Sequence, residues 1–200
     1  MKEQVIQLTY SRRLAMSFPV HTLATAPEAS RPLLEAARQT YGFVPNLLGV
    51  LAESPAALGA YLGIAGALDR ARLTPAEQQI VAIAVSAENG CSYCVAAHST
   101  MAAMVKAPAA AVDAARKRLP VDDRKLEALR RFAVAVVRAR GRVSDGELKA
   151  FQEAGYDRSH ALDVFALVAL KTLSNYVNHV ADTPLDDAFA PQRWDLSVAA

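Results

Sequence analysis

Residues 73–99 read LTPAEQQIVAIAVSAENGCSYCVAAHS and contain the start and stop signals of two consecutive helices. Thr74, Pro75 and Glu77 form a capping box with proline at the first helical position, which predicts a helix start. Apolar residues at helical spacing follow, and Asn89–Gly90 then predicts the end of this helix. A second helix is expected to begin directly after that turn, so the stretch predicts two helices joined by a tight connection.

The rest of the chain repeats the same signals. Ser144–Glu147 is a second capping box, and Tyr41–Gly42 has a glycine C-cap signal. Further helix starts are predicted at Pro27–Glu28, Pro45–Asn46, Ser54–Pro55, Pro108 and Asp122–Asp123. A long last helix is expected from about Arg158. Its predicted buried face consists of Ala161, Phe165, Val168, Thr172 and Tyr176. Because no alternating strand pattern of useful length is present, we predict an all-α fold: one helical domain over 21–200, behind a loose N-terminal extension over 1–20.

The bulk composition is typical of a soluble globular protein, since 52% of the 200 residues are apolar and 21% are charged. A net charge of +2 is too close to neutrality to favour nucleic acid or an anionic membrane as a partner. Residues 116–142 are rich in Lys and Arg, which leaves a nucleic-acid patch as one interpretation. A solvated helix face is favoured, because acidic residues interleave the charges and no aromatic stacking residues accompany them.

The expected location is cytoplasmic, and no membrane association is expected. No apolar run approaches the roughly 18–20 residues of a membrane span. Residues 11–16 faintly resemble an export leader, but Pro19 and His21 interrupt its would-be apolar region. Another interpretation is that Met16 is the natural start. A close cysteine pair in such a chain suggests redox or metal chemistry in a reducing compartment.

The chemistry is concentrated in residues 88–99, which contain both cysteines, Cys91 and Cys94, as well as His98. With Cys91 in the first turn of a helix, the three side chains project from nearly one face. Cysteines at this spacing can form a disulfide, and a helix N-terminus or an imidazolium favours the thiolate. A thiolate beside a proton carrier and a second thiol is suited to attack the O–O bond of a peroxide. The resulting sulfenic acid then condenses with the second cysteine.

Cys94 is the favoured nucleophile. It shares an i, i+4 contact with His98, which can take its proton and later protonate the leaving oxygen. Cys91 lies closer to the helix start and is expected to lie closer to solvent, where it would resolve the intermediate and meet an external reductant. The precedent of thioredoxin, in which the outer cysteine attacks, favours the opposite assignment.

Two structural interpretations of the cysteine pair remain open. A zinc site would need a fourth ligand from His21, His160 or His179. Two inert core cysteines are the other possibility, although the polar residues around the pair indicate a helix start at a surface or cleft. In the C-terminal region, His179 and Asn175 are interpreted as structural, and Trp194 is expected to anchor the tail.

The stretch ENGCSYCVAAHS, preceded by LTPAEQQIVAIAVS, resembles the active-site segment of the carboxymuconolactone decarboxylase superfamily. More specifically, it resembles the alkyl hydroperoxidase D-like, peroxidase-related branch. The resemblance extends from Met16 over nearly the whole chain, including YGFVPNLLGVLAESPAALGAYL and KTLSNYVNHVADTPLDDAF. It implies an all-helical fold of that type with the CxxC at a helix N-terminus, and homo-oligomers (dimers, trimers or hexamers). It also implies hydroperoxide reduction without a bound cofactor, with electrons from an external dithiol that is a lipoyl-bearing protein in the best-understood branch.

By this resemblance, Cys94 corresponds to the peroxidatic cysteine, Cys91 to the resolving cysteine and His98 to the proton-relay histidine. The well-studied hydroperoxidases have a relay glutamate twelve residues before the first cysteine, where this chain has Gln79. An amide cannot accept and return a proton at neutral pH. We therefore predict that Glu88, three residues before Cys91, orients and charges His98; the alternative is a surface carboxylate.

The sequence thus predicts an oxidoreductase, a thiol peroxidase that reduces small alkyl hydroperoxides through a Cys91–Cys94 disulfide. A lactone decarboxylase, the other named chemistry of the superfamily, needs no CxxC pair and is disfavoured. A redox sensor whose disulfide changes its oligomeric state is a third hypothesis.

Overall fold

The computed structural model describes residues 17–195. The predictions about an export leader, a start at Met16 and most of the N-terminal extension lie outside this range. Within it, the chain forms helices and no β-strand, so the all-α prediction is confirmed. The α-helices are α1 (Arg31–Tyr41), α2 (Asn46–Leu51), α3 (Pro55–Ala67), α4 (Pro75–Glu88), α5 (Ser92–Met104), α6 (Ala109–Arg116), α7 (Arg124–Arg138), α8 (Asp145–Glu153) and α9 (Arg158–Ala181). Short 3-10 helices cover Glu28–Ser30, Leu68–Arg70 and Asp187–Gln192.

Helix α4 is the centre of the bundle and packs against α5, α6, α7 and α9. It begins with the predicted capping box: the Glu77 amide donates to Thr74 Oγ1 at 3.3 Å, and the Thr74 amide donates to Glu77 Oε2 at 2.9 Å. Every residue from Ile80 to Ala87 is buried. Gly90 then adopts a φ of +71°, a left-handed conformation that is strained for most residues other than glycine. Helix α5 follows this turn and packs against α4.

Most of the other predicted helix boundaries also agree with the structure, although Pro27 precedes the 3-10 helix Glu28–Ser30 and α1 begins only at Arg31. Helix α8 begins with the second capping box, in which Ser144 and Glu147 exchange hydrogen bonds. Helix α1 ends at Gly42 with a φ of +80°. Helices α7 and α8 pack through stacked rings, with the centroids of Phe132 and Phe151 4.2 Å apart. Burying such side chains contributes about 1.5–3 kcal/mol each, which fixes this half of the bundle.

Helix α9 turns a different face inward from the one predicted. Ala161 is buried as expected, but Phe165 is 37% exposed and Tyr176 is 58% exposed. Four buried positions carry polar side chains instead: Lys171, Ser174, Asn175 and Asn178. The prediction of this face was wrong, because the helix crosses the cysteine end of α5 and supplies hydrogen-bonding groups there.

The segment after α9 folds back over the bundle and packs on α5 through the 3-10 helix Asp187–Gln192. Trp194 is buried against α4 and α5, and its indole Nε1 donates to the carbonyl of Arg116 at 2.9 Å. The predicted anchoring role of Trp194 is therefore confirmed. Of the helices within 17–195, none combines the length and the apolar character needed to cross a bilayer.

Candidate active site

The two cysteines lie at the start of α5, directly after the turn at Asn89–Gly90. Cys91 is the N-cap residue and Cys94 lies in the first turn. Both are free thiols, and both are buried, at 1% and 2% exposure. A single donor connects them: Asn178 Nδ2 lies 3.2 Å from the sulfur of Cys94 and 3.7 Å from that of Cys91. The two sulfurs therefore face the same point, as the spacing predicts.

The environment gives the two thiols different pKa values. Cys91 donates its proton to the sulfur of Cys94, and this hydrogen bond is the main cause that lowers the pKa of Cys94 to about 6. The charge of Lys171 and the side chain of Ser174, whose Oγ is 3.7 Å away, lower that pKa further against the effect of burial. The same hydrogen bond, together with burial, raises the pKa of Cys91. These contacts therefore favour the thiolate at Cys94 and the protonated thiol at Cys91.

His98 connects α5 to both α4 and α9. Its Nδ1 lies 2.8 Å from Gln79 Oε1, and its Nε2 lies 2.5 Å from Lys171 Nζ. Burial, followed by the charge of Lys171, lowers the pKa of His98 well below the ordinary value for histidine. The imidazole is therefore neutral, with the proton on Nδ1 donated to the amide oxygen and the lone pair of Nε2 accepting from Lys171.

A cavity of about 400 Å³ leads to this group from the surface. The polar groups Cys94, His98, Lys171 and Gln79 line one part of it, and aliphatic and aromatic side chains form most of the remaining wall. The aromatic residues are Tyr41, Phe43, Tyr61, Tyr93 and Phe189. A mostly apolar cavity of this size with a few convergent polar groups is typical of a small-molecule site.

Tyr93 and the C-terminal segment shape the wall of this cavity. The Tyr93 hydroxyl donates to Asp186 Oδ2 at 2.5 Å and accepts from the Leu47 amide at 3.3 Å. The ring of Phe189 meets that of Tyr93 edge-on, with centroids 5.9 Å apart. Tyr93 therefore packs between elements of the fold and also lines the site.

Cys91 is not closer to solvent than Cys94, which corrects the prediction. Of the described residues that line the cavity, Cys94 is the only cysteine. The reason is that Cys91, as the N-cap, is covered by the α4–α5 turn and by α9, while the next turn of α5 faces the cavity.

Glu88 occupies a different environment from the predicted one. Its carboxylate accepts hydrogen bonds from Arg138 Nε at 2.6 Å and from the second guanidinium nitrogen at 2.9 Å. Because both ring nitrogens of His98 are bonded to other residues, the prediction that Glu88 orients and charges His98 was wrong. Glu88 ends α4 close to α7, whereas Gln79 lies on the part of α4 that faces His98.

The arginines near Glu88 mostly have partners within the chain. Arg118 donates to the carbonyl of Ala87, and Arg130 Nε donates to Glu127 at 2.7 Å. Arg116 donates to Ser99 Oγ at 2.7 Å and also to carbonyls of the C-terminal segment. Several residues of the basic stretch thus connect helices, which adds a structural role to the predicted solvated face.

The histidines considered as zinc ligands lie in other surroundings. His21 Nε2 is 2.6 Å from Glu53, His160 Nδ1 is 2.6 Å from Asp157, and His179 is exposed. Within residues 17–195, no group of three or more His, Cys, Asp or Glu side chains is arranged to hold a metal ion.

Three residues of the site were not predicted from the sequence: Lys171, Ser174 and Asn178. Together with Asn175 these residues have the i, i+3, i+4, i+7 spacing of one helix face, so a polar stripe on an otherwise apolar helix was the available signal. Asn175, interpreted as structural, accepts a hydrogen bond from Asn89 at 2.9 Å and donates to Ser86 Oγ at 3.3 Å. It thereby holds the turn that precedes Cys91, and it also helps to lower the pKa of Cys94.

The fold and the site define a class of protein: an all-helical bundle with a CxxC pair at the start of a central helix and a histidine one turn further on. Residues 52–139 match the sequence pattern of the Carboxymuconolactone decarboxylase family. The structure of a peroxidase-related protein from Ralstonia eutropha JMP134, described as an alkylhydroperoxidase AhpD core, is 31% identical, with a TM-score of 0.77. The match covers 86% of this chain and 93% of that one. The chain belongs to the carboxymuconolactone decarboxylase superfamily, in its alkyl hydroperoxidase D-like branch.

Other solved structures share the fold at lower identity. A peroxidase-related protein from Silicibacter sp. TM1040 is 19% identical with a TM-score of 0.73, covering 88% of this chain and 93% of that one. The debrominase Bmp8 is also 19% identical, with a TM-score of 0.74 and coverage of 94% and 100%. No curated protein matches the sequence. The same fold thus occurs in a protein described as peroxidase-related and in one described as a debrominase.

Proposed function

We propose that this protein is a thiol-dependent peroxidase that reduces small organic hydroperoxides through Cys94 and Cys91. The observation that carries the proposal is the position of Cys94: its sulfur lies at an apolar cavity, has a pKa of about 6, and is hydrogen-bonded to a second thiol. A nucleophilic thiolate with a resolving thiol beside it is the minimum that a two-cysteine peroxidase needs.

The proposed reaction uses each sulfur once. The Cys94 thiolate attacks the terminal oxygen of ROOH, the O–O bond breaks, and the alkoxide takes a proton to leave as ROH. Cys94 is then a sulfenic acid. The Cys91 thiol attacks that sulfur, its proton and the departing hydroxide form water, and a Cys91–Cys94 disulfide remains. One hydroperoxide has gained two electrons, and one pair of thiols has lost them.

His98 remains in the proposed machinery, although it does not act as the sequence suggested. Its two nitrogens are bonded to Gln79 and Lys171, so His98 acts on the cavity through the amine of Lys171. The neutral imidazole accepts a hydrogen bond from this amine and holds it in place, and this positioning role replaces the predicted relay.

The cavity wall supports organic hydroperoxides rather than hydrogen peroxide as substrates. Aromatic and aliphatic side chains dominate it, and burying the apolar part of a substrate contributes about 25 cal/mol per Å². We expect kcat/KM for cumene hydroperoxide to exceed that for hydrogen peroxide by about tenfold or more, because the smaller substrate lacks this contribution.

The proposed reductant is an external dithiol, with no bound cofactor. Because both sulfurs are buried, a flexible dithiol such as a lipoyl arm is favoured over a thiol fixed on a protein surface. Recycling by dihydrolipoamide but not by thioredoxin would support this choice. The cycle also requires a reducing compartment, for which we propose the cytoplasm.

Homo-oligomerisation is proposed as well. Met104, Leu162, Tyr176 and Val180 are between 58% and 76% exposed, and three of these residues lie on α9. Exposed apolar side chains of this size favour contact with another chain. Light scattering after size-exclusion chromatography measures the number of copies.

The experiment that tests the proposed function is a single turnover. The fully reduced protein, freed of reductant, receives one equivalent of cumene hydroperoxide. We expect complete consumption of the peroxide, loss of two thiols per chain and a Cys91–Cys94 disulfide in the peptide map. The matched control is Ser92→Ala, an exposed residue between the two cysteines, which should behave as wild type. Unreacted peroxide with both thiols intact would contradict the proposal.

Reductive dehalogenation is a second candidate, favoured by the aromatic wall of the cavity. A structure of the Bmp8 C82A variant contains 2,3,4-tribromopyrrole. In such a reaction the thiolate takes the halogen from carbon, a proton replaces it, and the second thiol displaces halide to form the disulfide. Bromide release from a bromopyrrole, with no consumption of cumene hydroperoxide, would favour this candidate over the peroxidase.

The lactone decarboxylase is the disfavoured alternative. Decarboxylation of a lactone by a variant with both cysteines replaced by serine would support it.

A further inference from the structure

Lys171 is a fully buried amine at the reactive sulfur, and no role was predicted for it from the sequence. It is 0% exposed and lines the same cavity as Cys94. Burial lowers the pKa of this amine, and the groups whose negative charge would raise it again are Cys94, Cys91 and Tyr41. No carboxylate of the described residues is among the charges that act on its Nζ. A buried ammonium without a counterion is costly, so its compensating negative charge must come from a neighbour.

Cys94 is the neighbour that supplies this charge. Tyr61, whose ring centroid is 5.9 Å from Lys171 Nζ, cannot do so near neutral pH, because burial raises its pKa. Burial raises the pKa of Tyr41 in the same way. Cys91 is held protonated by its hydrogen bond to Cys94. The ionised Cys94 and the ammonium of Lys171 are therefore the complementary charges of the site.

Gln79 makes this pairing possible. Its amide oxygen accepts from His98 Nδ1, so the imidazole carries one proton there and presents a lone pair on Nε2 to Lys171. A carboxylate at position 79 would favour the imidazolium instead, and an imidazolium would repel the ammonium. Gln79, His98 and Lys171 thus form a chain of hydrogen bonds that keeps the positive charge on the lysine.

The geometry points to Lys171 as a further catalytic residue of the proposed peroxidase. Its ammonium stabilises the Cys94 thiolate and donates the proton that the alkoxide needs as the O–O bond breaks. The proton donation to the alkoxide rests on the proposed function. The stabilisation of the thiolate does not, since it holds for any reaction that Cys94 performs.

The protons balance over the cycle. Lys171 gives one proton to the alkoxide and becomes a neutral amine, while Cys94 becomes a sulfenic acid. Disulfide formation releases water made from the Cys91 proton and the departing hydroxide. The incoming dithiol then supplies two electrons and two protons, one of which restores the Cys91 thiol and the other the Lys171 ammonium. His98 stays neutral throughout and holds the amine.

The test compares wild type with Lys171→Met and Lys171→Gln. Met keeps the length of the chain without its charge, and Gln keeps a hydrogen-bond donor without charge. The readout is the rate of iodoacetamide alkylation between pH 4.5 and 10, with the modified cysteine located by peptide fragmentation. We expect the midpoint for Cys94 to rise by about one pH unit or more in both variants, so that the rate at pH 6.5 falls by about threefold to tenfold. Peroxide turnover should fall further, because the acid is lost as well.

A double variant that moves the positive charge from Lys171 to His98 tests whether charge is what lowers the pKa of Cys94. In the double variant Gln79→Glu, Lys171→Met, the carboxylate favours the imidazolium of His98, which replaces the missing cation. We expect the Cys94 midpoint to return toward the wild-type value, which a merely structural role for Lys171 would not produce.

Two outcomes overturn the inference: a Cys94 midpoint within about 0.3 pH units of wild type in a folded Lys171 variant, or no recovery in the double variant. Two single variants are compared because removing one partner of a buried charge pair can be destabilising, and Lys171→Gln keeps a polar side chain where Lys171→Met does not. If the midpoint shifts while wild type consumes no peroxide, the proposed function fails and the role of Lys171 at the thiolate stands.

Discussion

Two regions beside α4 hold charged side chains, and they use them in opposite ways. Where α4 ends, Glu88 pairs with Arg138, whose side chain is 66% exposed, so each charge has a partner and solvent nearby. On the side that faces α5 and α9, Lys171 is fully buried against a thiol and a neutral imidazole. Exposed ion pairs contribute about 0–1 kcal/mol, whereas a buried charge acts strongly on its neighbours. The comparison shows that the charge that acts on the pKa of Cys94 is the buried one, and not the carboxylate that is close to the CxxC pair in sequence.

The largest expected effect comes from removing the nucleophile from the buried region. Cys94→Ser should reduce peroxide turnover to the background rate, about a thousandfold or more, because a serine hydroxyl is not ionised at neutral pH. Cys91→Ser should instead consume one peroxide per chain and stop at the sulfenic acid, which dimedone traps. Steady-state assays with a dithiol reductant measure the first effect. Turnover by Cys94→Ser at more than a tenth of the wild-type rate would reverse the assignment of the two cysteines.

A smaller effect is expected from the amide that joins the two sulfurs. Asn178→Leu removes a donor to the Cys94 thiolate, so the pKa of Cys94 should rise. The alkylation rate at pH 6 should fall by about twofold to fivefold and recover above pH 9, where the thiol is ionised in either protein. The control is Tyr176→Phe on the exposed face of α9. A loss of rate that persists at high pH would show that Asn178 acts by packing alone.

These residues also show what the sequence could predict. The capping box at Thr74, the turn at Asn89–Gly90 and the helix start at Arg158 depend on local interactions, and the structure agrees with all three. The buried face of α9 depends on what lies opposite it. The rule that apolar faces turn inward failed there, because the cysteine end of α5 needs polar partners and leaves Tyr176 outside.

In the site, too, the features set by local spacing were predictable from the sequence, and those set by tertiary contacts were not. The positions of Cys91, Cys94 and His98 on one helix follow from spacing, and the structure brings their side chains to one site. The partner of His98 lies 19 positions earlier in the chain and Lys171 lies 73 positions later, so no local pattern relates them. Glu88 is close to the motif in sequence, but it sits at the end of α4 beside α7, and the tertiary fold pairs it with Arg138.

The smallest expected effect belongs to the exposed pair. Glu88→Gln should leave peroxide turnover and its pH profile within about twofold of wild type and lower the free energy of unfolding by about 0.5–1 kcal/mol. Arg138→Gln and the double variant complete a cycle that isolates the pair. Turnover assays and urea denaturation measure the two quantities. A shift in the pH profile of turnover with Glu88→Gln would show that Glu88 takes part in proton transfer. The two regions would then no longer differ in their effect on the reaction.

The central claim is that Cys94 is ionised at neutral pH inside an apolar site. Titration of thiolate absorbance in the reduced protein, repeated with Cys94→Ser to assign the signal, tests it most directly. The structure predicts one thiolate with a midpoint near pH 6, with Cys91 remaining protonated well above that pH. Because a thiol is reactive only when deprotonated, turnover should fall as the pH drops through this midpoint. A Cys94 midpoint at or above about 8.5, the value of an ordinary cysteine, would contradict the account.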